Sequence, residues 1–141
     1  MPTINELDAV YMGTAMLHAK LSKAKRSMVG ACMVTRTGII IPGVNGLPNV
    51  LGNELELVMP DGSLVTKPTV IHAEQACMNK CAREGVSSEG AIMYITLASC
   101  LHCASNIIAG GIKEVIYMDE YRDMSGIELL SKHLTVRRYM V

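Results

Sequence analysis

The fold of this chain depends on two short stretches, HAE at residues 72–74 and SCLHC at residues 99–103. Each stretch is expected to open a helix, and the two helix starts are expected to meet at one edge of a sheet. Imidazole and thiolate groups are ligands that suit zinc. His72, Cys100 and Cys103 therefore predict a zinc site with a fourth position left for water, which is typical of catalytic zinc.

Glu74 lies two residues after the predicted histidine ligand and is not needed to complete the coordination shell. It can therefore carry protons beside the metal. H-x-E followed by C-x-x-C is the signature of zinc nucleobase deaminases, in which the glutamate is the general acid/base and not a ligand. C-x-x-C alone would also fit a redox pair or half of a structural zinc ribbon. The alternative without any metal is that the two cysteines are simply buried and that His72 and Glu74 belong to an ordinary helix start.

Composition places the chain in a broad class. It has 141 residues, half of them hydrophobic, with eleven Met and neither Trp nor Phe. We predict one domain over residues 1–141 with a substantial core. The net charge is zero, so no overall field favours a nucleic-acid polymer. Neither a signal peptide nor a membrane span is predicted, and five cysteines without a disulfide framework fit a cytoplasmic protein.

Periodicity and turn residues predict nine main elements in the order αββαβαβαβ. Thr3 and Glu6 are expected to form a capping box for the first helix. The predicted buried face of that helix carries Leu7, Val10, Tyr11, Thr14, Leu17, His18 and Leu21. Residues 28–34 and 39–44 are predicted as an antiparallel pair, and residues 50–69 as a small exposed hairpin.

The later elements alternate between helices and strands. A helix from about Ile71 to Arg83 is expected to end at Gly85, and strand 91–97 to lead into a helix with Ser99 as its N-cap. The remaining predicted elements are strand 113–118, helix 125–132 and strand 134–139. Strands joined through helices should be parallel. The predicted fold class is α/β, a three-layer α/β/α sandwich with a mixed five-stranded sheet and helices on both faces.

Several other polar residues allow two interpretations. Lys23 and Arg26 follow the first helix and form either a solvated helix end or a phosphate-binding rim. Asn45 can hold a sugar hydroxyl or serve as a turn residue. Cys77 and Cys81 lie on one helix face and are either a second metal site or small buried residues.

Residues 22 to about 139 resemble the zinc-dependent cytidine/deoxycytidylate deaminase family, and its dCMP deaminases in particular. The motifs that carry the resemblance are VGAC at 29–32, GVNGLPN at 43–49, IHAE at 71–74, CLHC at 100–103 and GIKEVIYM at 111–118. The resemblance implies the cytidine deaminase-like fold and a hydrolytic, Zn²⁺-dependent conversion of dCMP to dUMP and ammonia, which supplies dUMP for thymidylate synthesis.

The resemblance also implies roles for individual residues. Zinc would be bound by His72, Cys100 and Cys103, with Glu74 as the proton carrier. The predicted substrate contacts are Asn45 at the deoxyribose, the helix start at Ala73 at the base, and Ser22, Lys23, Arg26 and Tyr121 near the 5′-phosphate. Arg26 would compensate for Leu21, which stands where some members carry Arg.

Members of the family are usually hexamers, and many are activated by dCTP and inhibited by dTTP, with Mg²⁺ accompanying the nucleotide. Val44 stands where the family usually has Tyr, so we expect weak or absent dCTP activation. Ser99 replaces the usual Pro, which a helix start tolerates. The alternatives are a deaminase of dCTP, cytidine, cytosine or tRNA adenosine, a non-catalytic nucleotide-sensing subunit, and a structural zinc protein with Cys77 or His102 as fourth ligand.

Overall fold

The computed structural model describes residues 1–140. Its helices are α1 (Ile4–Ala19), α2 (Ala73–Glu84), α3 (Leu101–Ala109) and α4 (Ser125–Ser131). Its strands are β1 (Gly30–Val34), β2 (Ile40–Val44), β3 (Glu56–Val58), β4 (Leu64–Thr66), β5 (Ile92–Leu97), β6 (Glu114–Asp119) and β7 (Thr135–Arg138). A short 3₁₀ turn covers Asn49–Leu51.

The main sheet has five strands in the order β2-β1-β5-β6-β7. β1 is antiparallel to both β2 and β5, whereas β5, β6 and β7 are parallel. α2, α3 and α4 contribute to a core on one face of the sheet, and α1 packs on the other. The predicted three-layer sandwich with a mixed sheet is therefore confirmed. Within residues 1–140, no helix combines the length and apolarity needed to cross a membrane.

The first helix begins as predicted, but the face that it buries is only partly the predicted one. Thr3 Oγ1 accepts a hydrogen bond from the Glu6 N–H, and the Glu6 carboxylate accepts one from the Thr3 N–H. The buried residues of α1 are Asp8, Met12 and Ala15. The predicted face is right at Tyr11, which packs against the core. It is wrong at Val10, Leu17 and Leu21, which are 61%, 63% and 64% exposed.

The reason for the different face is the close approach of α1 to β1. A Cβ on Gly30 would clash with the main chain of Ala15, so small residues permit this contact. Asp8 is also buried there because it has partners: Tyr94 Oη donates to it at 2.7 Å and Arg137 Nη1 at 2.8 Å. The hydrogen bond from Arg137 is the main cause that lowers the pKa of the Asp8 carboxyl. An apolar periodicity alone cannot find a helix face built from small and ion-paired residues.

Residues 50–69 do form the predicted two-stranded hairpin, β3–β4. Its turn is closed by the Met59 N–H on the Ser63 carbonyl at 2.8 Å. The hairpin is not an isolated excursion, however. Leu55 is only 2% exposed, and Glu56 contacts the loop that follows α1. The hairpin therefore covers part of the molecule near the predicted site.

Candidate active site

The two predicted ligand-bearing segments are both helix starts. His72 is the N-cap residue of α2 and Cys100 is the N-cap residue of α3. Cys100 Sγ accepts a hydrogen bond from the Cys103 N–H at 3.4 Å. The predicted N-cap of α3, Ser99, is therefore wrong by one residue, and the predicted start of α2 near Ile71 is wrong by one or two. The predicted ligands His72 and Cys100 themselves occupy the two N-cap positions. The Ser99 hydroxyl is buried and has no hydrogen-bond partner within residues 1–140.

The helix starts bring the three predicted metal ligands together. His72 Nδ1 lies 3.2 Å from Cys103 Sγ and 3.5 Å from Cys100 Sγ, and all three ligand atoms lie within 4.8 Å of one another. Two ligands of a tetrahedral zinc ion, with metal–ligand distances of 2.0–2.3 Å, are separated by roughly 3.6 Å. The donor set and its spacing therefore fit zinc.

The charges of these groups also fit a cation. Hydrogen bonds from Cys103 and then His72 lower the pKa of the Cys100 thiol to about 3. The same contact with Cys100, together with burial, raises the pKa of Cys103, and the Cys100 thiolate raises the pKa of His72. A second thiolate at Cys103 is therefore costly unless a positive ion shares the site.

The cluster offers three protein ligands and no fourth among residues 1–140. His102 is exposed. Cys77 is buried and donates its thiol proton to the Ile41 carbonyl at 3.3 Å, and burial raises its pKa to about 12. Cys81 is buried in the same core. The interpretation of Cys77 and Cys81 as small core residues is thus confirmed, and the three-ligand set is typical of catalytic zinc.

Glu74 lies in the first turn of α2, and its side chain is only 3% exposed. It lines the same cavity as His72, Ala73 and Cys100. Burial raises the pKa of the Glu74 carboxyl, because removal from water disfavours the charged form. A carboxyl with a raised pKa can hold and release protons closer to neutral pH.

The cavity beside Glu74 has a volume of about 360 Å³, within the usual range for small-molecule sites. The strand ends and the loops after them form much of its wall, as expected for an α/β sheet, where ligands bind at the carboxyl ends of the strands. The lining residues outside the zinc site lie at 24, 26–27, 29, 45, 55–56, 66, 70, 95, 97–98 and 120–122.

Comparison with known proteins identifies this arrangement. The model of the cytidine and deoxycytidylate deaminase zinc-binding region matches residues 5–119. The chain belongs to the cytidine and deoxycytidylate deaminase family. The resemblance inferred from the motifs is therefore confirmed, and His72, Cys100 and Cys103 all lie within the matched zinc-binding region.

Individual relatives agree with the family match. The deoxycytidylate deaminase of Mus musculus is 43% identical over 122 residues, which cover 80% of this chain and 65% of the mouse protein. The Homo sapiens enzyme is 42% identical with the same coverage, so the chain spans slightly less than two thirds of these relatives. The crystal structure of dCMP deaminase from cyanophage S-TIM5, in complex with dCMP and dUMP, matches with a TM-score of 0.88 at 36% identity. The match covers 98% of this chain and 100% of the phage chain.

Only some of the residues predicted to contact the sugar and the phosphate line the cavity. Asn45, Arg26 and Tyr121 line it, whereas Ser22 and Lys23 do not. Ser22 is buried, and its hydroxyl donates to the Asn45 carbonyl at 3.2 Å. Ser22 thus holds the loop after α1 against the Asn45 segment.

The Asn45 amide makes structural hydrogen bonds at this site. Its Oδ1 accepts from the Val29 N–H at 2.9 Å, and its Nδ2 donates to the Ser27 carbonyl at 2.8 Å. These bonds fix the segment that enters β1. An amide group has one further donor hydrogen and one further acceptor lone pair, so contact with a sugar hydroxyl remains compatible with them.

Sequence reasoning missed five polar residues at the cavity, namely Ser27, Glu56, Thr66, Glu120 and Arg122. The Arg122 guanidinium lies 5.5 Å from the centre of the Tyr121 ring. Its position after the end of β6, next to Tyr121, was a usable signal. Glu56 and Thr66 gave no signal, because nothing in their local pattern indicates that the β3–β4 hairpin folds back over the site.

Gly126 of α4 allows close packing against the Cys100 segment. A Cβ at Gly126 would lie 2.7 Å from the carbonyl carbon of Cys100. We expect Gly126→Ala to displace that ligand and to lower the free energy of unfolding by about 1–3 kcal/mol. Gly13 in α1 is the matched control, because a Cβ there would have no other atom within 4 Å.

Gly13→Ala should raise the free energy of unfolding by about 0.5–1 kcal/mol, since alanine favours helix. Urea unfolding and zinc content of both variants test this pair. Equal stability and zinc content in the two variants would contradict the role given to Gly126.

Proposed function

We propose that this chain deaminates dCMP hydrolytically, giving dUMP and ammonia. The observation that carries the proposal is a cluster of three predicted zinc ligands, two of which, His72 and Cys100, line one cavity together with the buried carboxyl of Glu74. Arg26 and Arg122 lie at the wall of the same cavity. Relatives named deoxycytidylate deaminase support the substrate. So does the phage enzyme solved in complex with dCMP and dUMP.

His72, Cys100 and Cys103 would hold the zinc ion. When bound, zinc supplies Lewis-acid chemistry, because three protein ligands leave an open position at which the pKa of water falls toward neutrality. In this proposal Glu74 takes a proton from the attacking water and delivers it to N3 of cytosine. The water oxygen adds at C4. Glu74 then takes the remaining proton from the C4 hydroxyl and passes it to the amino group, so that the C4–N bond breaks, C4=O forms and ammonia leaves.

The substrate base would be oriented by main-chain groups at the helix starts. The N–H groups in the first turn of a helix have no partner within the helix. Those at Ala73 and after Cys100 can therefore donate to the base and to developing negative charge. Asn45 would contact the deoxyribose through its remaining donor and acceptor.

The 5′-phosphate would be bound by arginine. Arg26 and Arg122 line the cavity together with Tyr121, and guanidinium groups pair well with phosphate oxygens. Ser22 and Lys23 enter the proposal as neighbours of Arg26 and not as direct contacts, because neither lines the cavity.

Two alternative functions are compatible with the same fold. One is deamination of another cytosine nucleotide or nucleoside, such as dCTP or cytidine, and the other is nucleotide sensing without turnover. The two arginines favour a phosphorylated substrate over a free nucleoside. The buried Glu74 favours turnover, since a sensor has no chemical need for a buried carboxyl with a raised pKa.

We also propose that the chain acts as one deaminase domain in a cytoplasmic homo-oligomer, with a hexamer favoured by the resemblance. Exposed apolar side chains on α1 and just after it, including Val10, Leu17 and Leu21, support association. The five free cysteines fit a reducing compartment. Candidate effectors are dCTP and dTTP with Mg²⁺, with a weak dCTP response because of Val44. The zero net charge argues against a nucleic-acid polymer as partner.

A substrate comparison tests the proposed function. The purified protein is offered dCMP, CMP, dCTP, deoxycytidine and cytidine, and the absorbance change from cytosine to uracil is followed. We expect the highest kcat/KM for dCMP, because Arg26 and Arg122 can pair with one phosphate. Equal kcat/KM for dCMP and deoxycytidine would contradict the proposed phosphate contacts. No turnover of any of these compounds would contradict the proposed deaminase activity.

A further inference from the structure

The β3–β4 hairpin forms hydrogen bonds with both the main chain and the side chain of Arg26, a residue of the cavity wall. Glu56 Oε2 accepts hydrogen bonds from the main-chain N–H of Lys25 at 2.8 Å and of Arg26 at 3.0 Å. Thr66 Oγ1 accepts a hydrogen bond from Arg26 Nη1 at 3.1 Å. Glu56 and Thr66 are directly opposite each other in the hairpin register. The main chain and the guanidinium of Arg26 are thus held by one cross-strand pair.

We propose that the hairpin is the element that positions Arg26 for a nucleotide phosphate, with Glu56 and Thr66 as positioning residues. This inference rests on the proposed function, in which Arg26 contacts the 5′-phosphate. The proposal assigns a function to residues 50–69, for which the sequence motifs indicate none. Glu56 and Thr66 act through Arg26 and do not take part in the chemistry at C4.

Arg26 needs such support because of where it lies. It follows α1 in a loop, outside the regular elements, and is exposed. A long exposed side chain loses considerable conformational entropy when it binds a ligand. Bonds that fix its main chain and its guanidinium before binding reduce that loss, so the gain in affinity comes from preorganisation.

The hairpin itself is firmly attached. Leu55, just before β3, is buried, and its carbonyl accepts a hydrogen bond from the Lys67 N–H at 2.8 Å. At the turn, Asp61 Oδ1 accepts from the Ser63 N–H at 2.9 Å. A closed turn and a buried base make the hairpin a rigid support for the loop that carries Arg26.

The negative charge of Glu56 makes it possible to distinguish positioning of Arg26 from electrostatic repulsion of the phosphate. A carboxylate at the wall of a phosphate site repels the ligand, so a purely electrostatic role would make Glu56 a weakening residue. Its two hydrogen bonds to main-chain N–H groups give the opposite expectation. Removing Glu56 should therefore weaken phosphate binding if positioning dominates, and strengthen it if repulsion dominates.

The experiment measures binding of dUMP and deoxyuridine by calorimetry in the zinc-loaded protein, so that no turnover is needed. We expect Glu56→Ala to weaken dUMP binding about tenfold, the equivalent of one charge-assisted hydrogen bond, and to leave deoxyuridine binding unchanged. Thr66→Val should weaken dUMP binding about threefold. Glu56→Gln keeps an oxygen for the two N–H groups and should restore most of the affinity. Glu54→Ala, an exposed glutamate in the same segment, is the matched control.

A double-mutant cycle then tests the route through Arg26. In an Arg26→Ala background, Glu56→Ala should cost nothing further for dUMP. Equal loss for dUMP and deoxyuridine, tighter dUMP binding, or additive losses in the cycle would each overturn the inference. If Glu56→Ala fails to fold, Thr66→Val and Glu56→Gln carry the same comparison. A wild type that binds dUMP but deaminates no cytosine compound would refute the proposed activity while leaving this positioning role intact.

Discussion

Glu74→Gln is expected to abolish turnover of dCMP while leaving the zinc site and the nucleotide pocket in place. Gln has the size of Glu and can still accept hydrogen bonds, but it cannot take up and release a proton. General acid–base catalysis contributes about 10²–10⁴-fold per group, and Glu74 serves more than one transfer, so the expected loss in kcat is about 10⁴-fold or greater. The absorbance assay with dCMP measures it directly.

The control separates lost chemistry from lost structure. Zinc content and dUMP affinity should remain at the wild-type level in Glu74→Gln, because neither depends on proton transfer. Glu84→Gln makes the same change at the exposed C-terminal end of the same helix and should keep full activity. A Glu74→Gln protein with wild-type kcat would remove the proposed mechanism.

The chemical centre could be predicted from sequence because its residues lie in two short motifs. The spacing within H-x-E and C-x-x-C is local, and a helix start converts it into a nearly fixed arrangement of side chains. His72, Cys100 and Cys103 do converge as expected, with the imidazole 3.2 Å and 3.5 Å from the two sulfurs. The parallel order of β5, β6 and β7 follows from the helices between them.

The rest of the site depends on contacts between distant segments. Glu56 accepts a hydrogen bond from the Arg26 N–H although the two residues are 30 positions apart in the sequence. No local sequence pattern predicts that contact. The face of α1 was mispredicted for a related reason. Its packing is decided by Gly30 and by the partners of Asp8, both outside the helix. Local motifs thus determine the chemistry, whereas long-range packing determines which residues surround the substrate.

Cys103→Ala is expected to eliminate both zinc and activity. Native protein should carry about one zinc per chain, and a site reduced from three ligands to two should lose nearly all of it on dialysis against a chelator. The loss in kcat should equal or exceed that of Glu74→Gln, because the activated water disappears together with the metal. Zinc is measured by atomic emission and turnover by absorbance on the same samples.

Cys81→Ala is the matched control, since Cys81 is an equally buried cysteine of α2 that lies outside the zinc cluster. It should keep its zinc and its activity, with only a modest loss of stability from the smaller side chain. Acid should act on the wild type in the same direction as Cys103→Ala. Zinc requires deprotonated ligands, and without metal the Cys100 thiolate raises the pKa of His72, so protons compete increasingly well as the pH falls. Zinc binding that is unchanged in Cys103→Ala, or lost equally in Cys81→Ala, would show that the metal is held by a different set of residues.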